Sequence, residues 1–414
     1  MSRRLNPGLT PGAVCSALVL LWAASSGATE AWLAADRGYV RRLPDPSSPI
    51  IGVLERGDRV ERREEAAPEG WTLVQPLGAV RSKLLSDREP DESGPPEYLY
   101  GKVVVPRLEV RREPAASAPV LEHHKLGQIL AFKPLADPTG EWLERPEGGF
   151  VARSTVKLLS GSAFEGVHEP PPRLAFLLHR WRIRPPGHPR APVIVLERHS
   201  ALPVIAVGSS IETAVGSLPR ETVRLALSRP RPVGIGPDEK WVHVDTLEQV
   251  LTAYEGDRLV FATLVSTGKK HWETPTGQFR VWLKLRHGPM RGHRVAYLVE
   301  EVPNALFFTG DAALHAALWH DRFGTAVSHG CINLSPADAA WIFRWAPPDL
   351  PERWHGILPG SAGLPSLWVV VEQGSEDASP DKKPDADLGT RTMPPGTGDM
   401  PDRGAVLEAA SPGG

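Results

Sequence analysis

Ser328-His329-Gly330-Cys331-Ile332-Asn333-Leu334 holds one of only two cysteines in the chain. The other, Cys15, lies in an apolar run near the start. An ordinary thiol titrates at about 8.5 and needs a neighbouring base to act as a nucleophile. Two histidines are placed to supply one, His315 upstream and His329 two residues before the cysteine. On an extended segment His329, Cys331 and Asn333 would share a face. Gly330, just before the thiol, lets the backbone approach a reacting group closely. His315, His320, His329 and Cys331 offer zinc-ligand types, but no Cys-x-x-Cys or His-Glu-x-x-His pattern accompanies them, so no metal is expected.

The wider pattern is more specific. Leu314-His315-Ala316-Ala317-Leu318-Trp319-His320-Asp321-Arg322-Phe323-Gly324 runs into the cysteine stretch. Together they resemble the active-site signature of the L,D-transpeptidases, the YkuD family: His, a spacer, then Ser/Thr-His-Gly-Cys-x-Asn. Ser266-Thr267-Gly268 and Thr274-Pro275-Thr276-Gly277-Gln278-Phe279 resemble earlier strands and a turn of the same domain. The resemblance covers residues 239–373 and implies a cysteine acyltransferase acting on peptidoglycan stem peptides. It makes Cys331 the nucleophile and His315 the base, with His329 lining the site and the Gly330 and Cys331 N–H groups holding the oxyanion. A carbonyl beside the catalytic histidine orients its ring in the family; here that neighbour is Ala316, where Gly or Ser is usual. Ser328, Asn333, Trp319 and His320 are candidates for the substrate side, each with a structural alternative in packing or in tying the loop. No cofactor is implied. The acceptor is a stem-peptide amine, a protein or water, water making the enzyme an L,D-carboxypeptidase; the non-enzymatic alternative is a cell-wall-binding protein with an inactive catalytic domain.

Outward from this site, the chain reads as mainly β. Its 39 glycines and 43 prolines suit turn-rich strands. With 47 basic against 49 acidic residues, it lacks the electrostatic footprint of a nucleic-acid partner. Arg3 and Arg4 precede the apolar run Ala13 to Ala24, and Ser26-Gly27-Ala28 offers small residues for cleavage. Residues 1–28 therefore read as an export signal that leaves no stable membrane span, with the mature protein in the periplasm or cell wall. One remaining cysteine suits a thiol kept for chemistry in an oxidising compartment.

Residues 30–88 and 98–160 repeat each other. Val40-Arg41-Arg42-Leu43-Pro44 matches Val110-Arg111-Arg112-Glu113-Pro114, Trp71 matches Trp142, and Gly78-Ala79-Val80 matches Gly149-Phe150-Val151. The order is similar to bacterial SH3-like modules, so two small barrels are expected, as wall-binding elements or as spacers. Residues 161–238 read as a β-rich connecting region of unassigned fold, whose arginines, from Arg173 to Arg198, are a solvated strand edge or a face for anionic wall polymer. The catalytic domain, 239–373, is expected to be β-rich with short helices. Ser335 as N-cap, Pro336 and Asp338 predict a helix over 337–345 that stops before Pro347-Pro348. Residues 286–297 suit a mobile flap, and 374–414 a disordered tail.

Overall fold

The computed structural model describes residues 29–89, 97–134, 140–185, 187–188, 190–292 and 297–374. The export signal, the middle of the linker before Glu97, the tip of the expected flap and nearly all of the tail lie outside the described residues. Among the described residues no helix is long and apolar enough to cross a membrane. The architecture is mainly β, with two short α-helices among the described residues.

The two repeats have the same strand order. In the first, Glu30–Leu33 is flanked by Arg59–Glu61 and Leu85–Ser86. In the second, Leu99–Val103 is flanked by Ile129–Phe132 and Val156–Leu159. A one-turn 3-10 helix precedes the last strand in both, at Ser82–Leu84 and Arg153–Thr155. The matched arginines do the same work: Arg41 Nη1 donates to Ser48 O at 2.6 Å, and Arg111 Nη1 to Ala118 O at 2.7 Å.

The connecting region contains a third unit built this way. Arg173–Leu177 is flanked by Ala201–Val207 and Val223–Leu227, and the 3-10 turn Arg220–Thr222 precedes the last strand. One glycine marks the equivalence. Gly78, Gly149 and Gly216 all have positive φ, 100°, 88° and 133°. A Cβ on each would come within 2.6, 2.7 and 2.6 Å of Val40, Val110 and Ile183, a core residue of the second strand in each unit. Close approach and φ together demand glycine.

The catalytic unit is labelled here on its own. β1 (Lys240–Asp245), β2 (Val250–Glu255) and β3 (Arg258–Leu264) form an antiparallel meander. β4 (Gly277–Arg280) reaches it through the last strand, β10 (Trp368–Glu372), which runs parallel to β1. At the other edge Val167–His168 pairs with β3, so this end of the connecting region is part of the catalytic sheet. β5 (Leu283–Gly292), β6 (Tyr297–Thr309), β7 (Ala312–Ala316), β8 (Ile332–Leu334) and β9 (Gly356–Ile357) belong to a second sheet. Val242, Val244, Leu251, Leu306, Leu314, Ile332 and Ile342 pack between the two. Their burial is the main term holding the site in place.

Helix α1 spans Pro336–Trp345, one residue earlier than expected. Ser335 Oγ accepts from the Asp338 N–H at 3.1 Å. Asp338 does more than complete a capping box: its carboxylate accepts from the Gly166 N–H at 2.8 Å and from the Thr263 hydroxyl. At the helix's far end the buried Lys284 donates to Ala346 O at 2.8 Å and Pro348 O at 2.9 Å, satisfying terminal carbonyls. Burial pushes its ammonium down to about 7.

The described residues of the segment expected to be a flap belong to two long paired strands, β5 and β6, bracketed by both N-terminal repeats. Val299 of β6 pairs with Ile129. On the other side β9 lies between β5 and the strand Ile50–Glu55. Arg145, 1% exposed, pairs with Glu300 at 2.9 Å, and the Tyr100 hydroxyl donates to Glu301 O at 2.6 Å. A buried guanidinium must find a carboxylate, and the hairpin supplies it.

Candidate active site

The loop carrying Cys331 is held by the segment Ser266-Thr267-Gly268. Ser266 and Asn333 exchange backbone hydrogen bonds at 3.0 and 2.9 Å, Ser328 N–H donates to Thr267 O at 3.0 Å, and Lys269 N–H to Ser328 O at 3.1 Å. A Cβ at Gly268 would lie 1.9 Å from Trp272 O, so only glycine fits there. Thr274 Oγ1 accepts from Gly268 N–H and donates to Gly330 O, both at 2.9 Å. Ser328, a candidate for substrate contact, is buried; its Oγ donates to Cys331 O at 2.5 Å and accepts from Gly330 N–H at 3.1 Å. Its hydroxyl closes the loop on itself. That also engages the Gly330 N–H, one of the two expected oxyanion donors.

β7 and β8 are parallel neighbours, with His315 opposite Asn333 and Leu314 opposite Ile332. Cys331 stands one residue before β8, beside this pair. Its half-buried Sγ is 3.8 Å from Asp311 O. Burial pushes the thiol up to about 11; the Ala313 N–H opposes this and the Asp311 charge adds to it. His315 is 2% exposed and its Nδ1 is 3.0 Å from Ala316 O. A carbonyl only accepts, so Nδ1 carries the proton and Nε2 keeps its lone pair. Burial pushes this imidazole down to about 4, partly offset by the Ala316 bond. The resting pair is therefore a neutral thiol and a neutral imidazole.

His329 is placed differently. Gly330 has a φ of 120°, so the chain is not extended through this point and His329 does not share a strand face with Cys331. His329 is exposed, with Nε2 3.1 Å from Lys269 Nζ and its ring 5.1 Å from that of Trp272, edge-on. Burial and the Lys269 charge lower its pKa.

His320 and Asn333 meet at 2.9 Å. His320 Nδ1 accepts the Arg322 N–H at 3.2 Å, so Nε2 carries the proton of this neutral ring. Burial, with Arg322 and His315, pushes it down to about 4. The Asn333 atom at this distance is Nδ2, and with Nε2 protonated the contact is a hydrogen bond only when the amide turns to offer Oδ1. Trp319 is half-buried, with its ring 5.9 Å from that of His315.

Sequence reasoning passed over Lys269, Trp272, Asp311 and Ala313, whose contacts depend on the folded loop. It also read the arginines before residue 199 as a solvated edge or a polymer-binding face. Arg198 instead ties Asp321 beside the site at 2.7 Å, and Arg180 pairs with Glu197 at 3.2 Å.

Residues 239–371 match the family model of the L,D-transpeptidase catalytic domain, YkuD. The matched stretch holds every candidate catalytic residue, from His315 to Cys331, and supports an L,D-transpeptidase class of enzyme. Among solved structures, the chain is similar to an L,D-transpeptidase (Yku) from Stackebrandtia nassauensis, with 22% identity over 36% of this chain and a TM-score of 0.27. It is similar to the LD transpeptidase LdtMt1 in complex with imipenem, with 24% identity over 33% of this chain and a TM-score of 0.26. It spans 62% and 59% of the length of those two chains. The catalytic domain from an E. faecium L,D-transpeptidase is covered to 98%, at 21% identity over 33% of this chain and a TM-score of 0.26. A search of the curated proteins gives no match.

Proposed function

We propose that the chain is an exported L,D-transpeptidase that modifies peptidoglycan through a thioester on Cys331. The observation that carries this is the His315 imidazole, fixed through Nδ1 on the Ala316 carbonyl, on the strand beside the thiol. The thiol turns from the Asp311 carbonyl toward Nε2, which takes its proton as sulfur attacks the amide carbonyl before a terminal D-residue. The tetrahedral oxyanion is met by the Cys331 N–H, while Gly330 N–H stays with Ser328 unless the loop shifts. Collapse breaks the C–N bond, and the imidazolium returns its proton to the leaving amine. An acceptor amine then loses its proton to Nε2 and attacks the thioester, releasing the thiolate to be reprotonated by the same ring. Half-buried His320 and buried Asn333 back the site beside His315, and exposed His329, with Trp272 and Lys269, forms the rim.

The two N-terminal repeats are read as SH3-like modules that present the enzyme to wall peptides, and the third unit as a further copy. Incubation with a stem tetrapeptide, read by mass, tests the reaction. Release of the terminal D-residue with formation of a cross-linked dimer is expected. Tripeptide alone at every acceptor concentration would make the enzyme a carboxypeptidase, and an unchanged substrate would refute the reading.

A further inference from the structure

We propose that Glu55, His287 and His355 form a binding site for a divalent cation of the zinc class, at the joint between the first repeat and the β5–β6 hairpin. The three residues come from three distant parts of the chain, and their ligand atoms lie within 4.8 Å of one another. Glu55 Oε2 is 3.3 Å from His355 Nδ1 and 3.8 Å from His287 Nε2. Donors bound to tetrahedral zinc at about 2.0–2.1 Å lie about 3.3 Å apart, so the Glu55–His355 spacing already suits one ion, and the wider separations must close around it. The two imidazoles are 7% and 3% exposed, with ring centroids 4.6 Å apart at 72°, as two ligands converging on one point require.

The surroundings are those of a metal centre. His287 Nδ1 is hydrogen-bonded to Glu301, which places the proton there and turns the Nε2 lone pair inward. A carboxylate behind a ligating imidazole is the usual outer support of such a site. Asp58 Oδ2 accepts the Glu55 N–H at 2.8 Å and the His355 N–H at 2.9 Å, fixing the backbone of two of the three ligands. Arg37 Nη2 holds the other Glu55 oxygen, Oε1, at 3.2 Å, so Oε2 is presented to the histidines. A cavity of about 720 Å³, lined by Tyr98, Tyr100, Arg286 and His287, lies beside one of the three ligands. The ion would link the first repeat to the hairpin, a role separate from Cys331 chemistry.

The test uses the full chain, stripped with a chelator, re-equilibrated with Zn²⁺ and analysed for metal by mass spectrometry. About one zinc per chain is expected, unchanged in Cys331→Ser and lost in Glu55→Gln and His355→Ala. Glu301→Gln should weaken zinc binding about 10–100-fold. Cobalt in the unmutated chain should give tetrahedral ligand-field bands without thiolate charge transfer, a readout that needs no variant to fold. Zinc should raise the unfolding temperature of the unmutated chain but not of Glu55→Gln. No zinc uptake, uptake unaffected by Glu55→Gln and His355→Ala, or a thiolate–cobalt band would overturn the site. In the first case the cluster is an ion pair around a protonated His287. These outcomes are read without turnover, so they stand apart from the transpeptidase reading.

Discussion

The neutral Cys331–His315 pair makes a specific demand on the pH dependence of acylation. The buried His315 ring is pushed down to about 4, so its lone pair survives well into acid. If attack needs only that lone pair, the rate at pH 5 relative to pH 7 is about 0.9, whereas an imidazole at the ordinary 6.5 would give about 0.04. A third mechanism, in which preformed thiolate attacks without a base, would lose about tenfold per pH unit, a ratio of about 0.01, because the thiol stands up at about 11. The three ratios are well separated. The assay is the initial rate of covalent labelling of the full chain by imipenem, whose strained lactam opens by acyl transfer, followed by intact-protein mass. His329→Ala should leave the profile in place, since that exposed ring faces Lys269 rather than the thiol. A ratio below about 0.1 in the unmutated protein would refute the neutral-pair reasoning. A profile that changes only in His329→Ala would move the base to the rim.

Five further outcomes follow from named residues. His315→Ala should slow labelling about 10²–10⁴-fold, and Cys331→Ser should abolish it while circular dichroism stays unchanged. Thr274→Val should cut labelling without unfolding the domain, because the hydroxyl that links Gly268 N–H to Gly330 O is lost while the side-chain volume is kept. Ser335→Ala should lower stability by about 1 kcal/mol through loss of the α1 cap, read by denaturant unfolding. Arg145→Ala should cost about 3–5 kcal/mol locally by leaving Glu300 buried and unpaired, read as faster hydrogen exchange across 297–309.

What was legible in the sequence is what the chain states locally. His315, Gly330 and Cys331 lie close together because the chemistry needs them within one strand pair, and Ser335-Pro336 announces α1 through backbone rules that act over a single turn. The repeat of the first two units was legible because both keep a tryptophan at the start of the fifth strand and the same arginine bond to the loop. The third unit kept the glycine and the closing turn but not those markers, so its strand order emerges only from pairing. Loop geometry was misread at Gly330, where positive φ replaces the extended backbone that would align His329 with the thiol.

The hairpin shows why long-range features stayed hidden. Its sequence, rich in glycine and cations, satisfies every local condition for a free flap. Its strands nevertheless lie between two modules whose own edges would otherwise expose unpaired backbone donors and acceptors. Pairing those edges to β6 and β9 removes that liability and at the same time deprives the hairpin of freedom. Arg145, bonded to Glu122 and His124 in its own repeat, also reaches Glu300 of the hairpin, and the Tyr100 hydroxyl is satisfied by Glu301 O. The described strands of this segment are thus held at both edges by the repeats, a pairing that no local feature of its sequence announces.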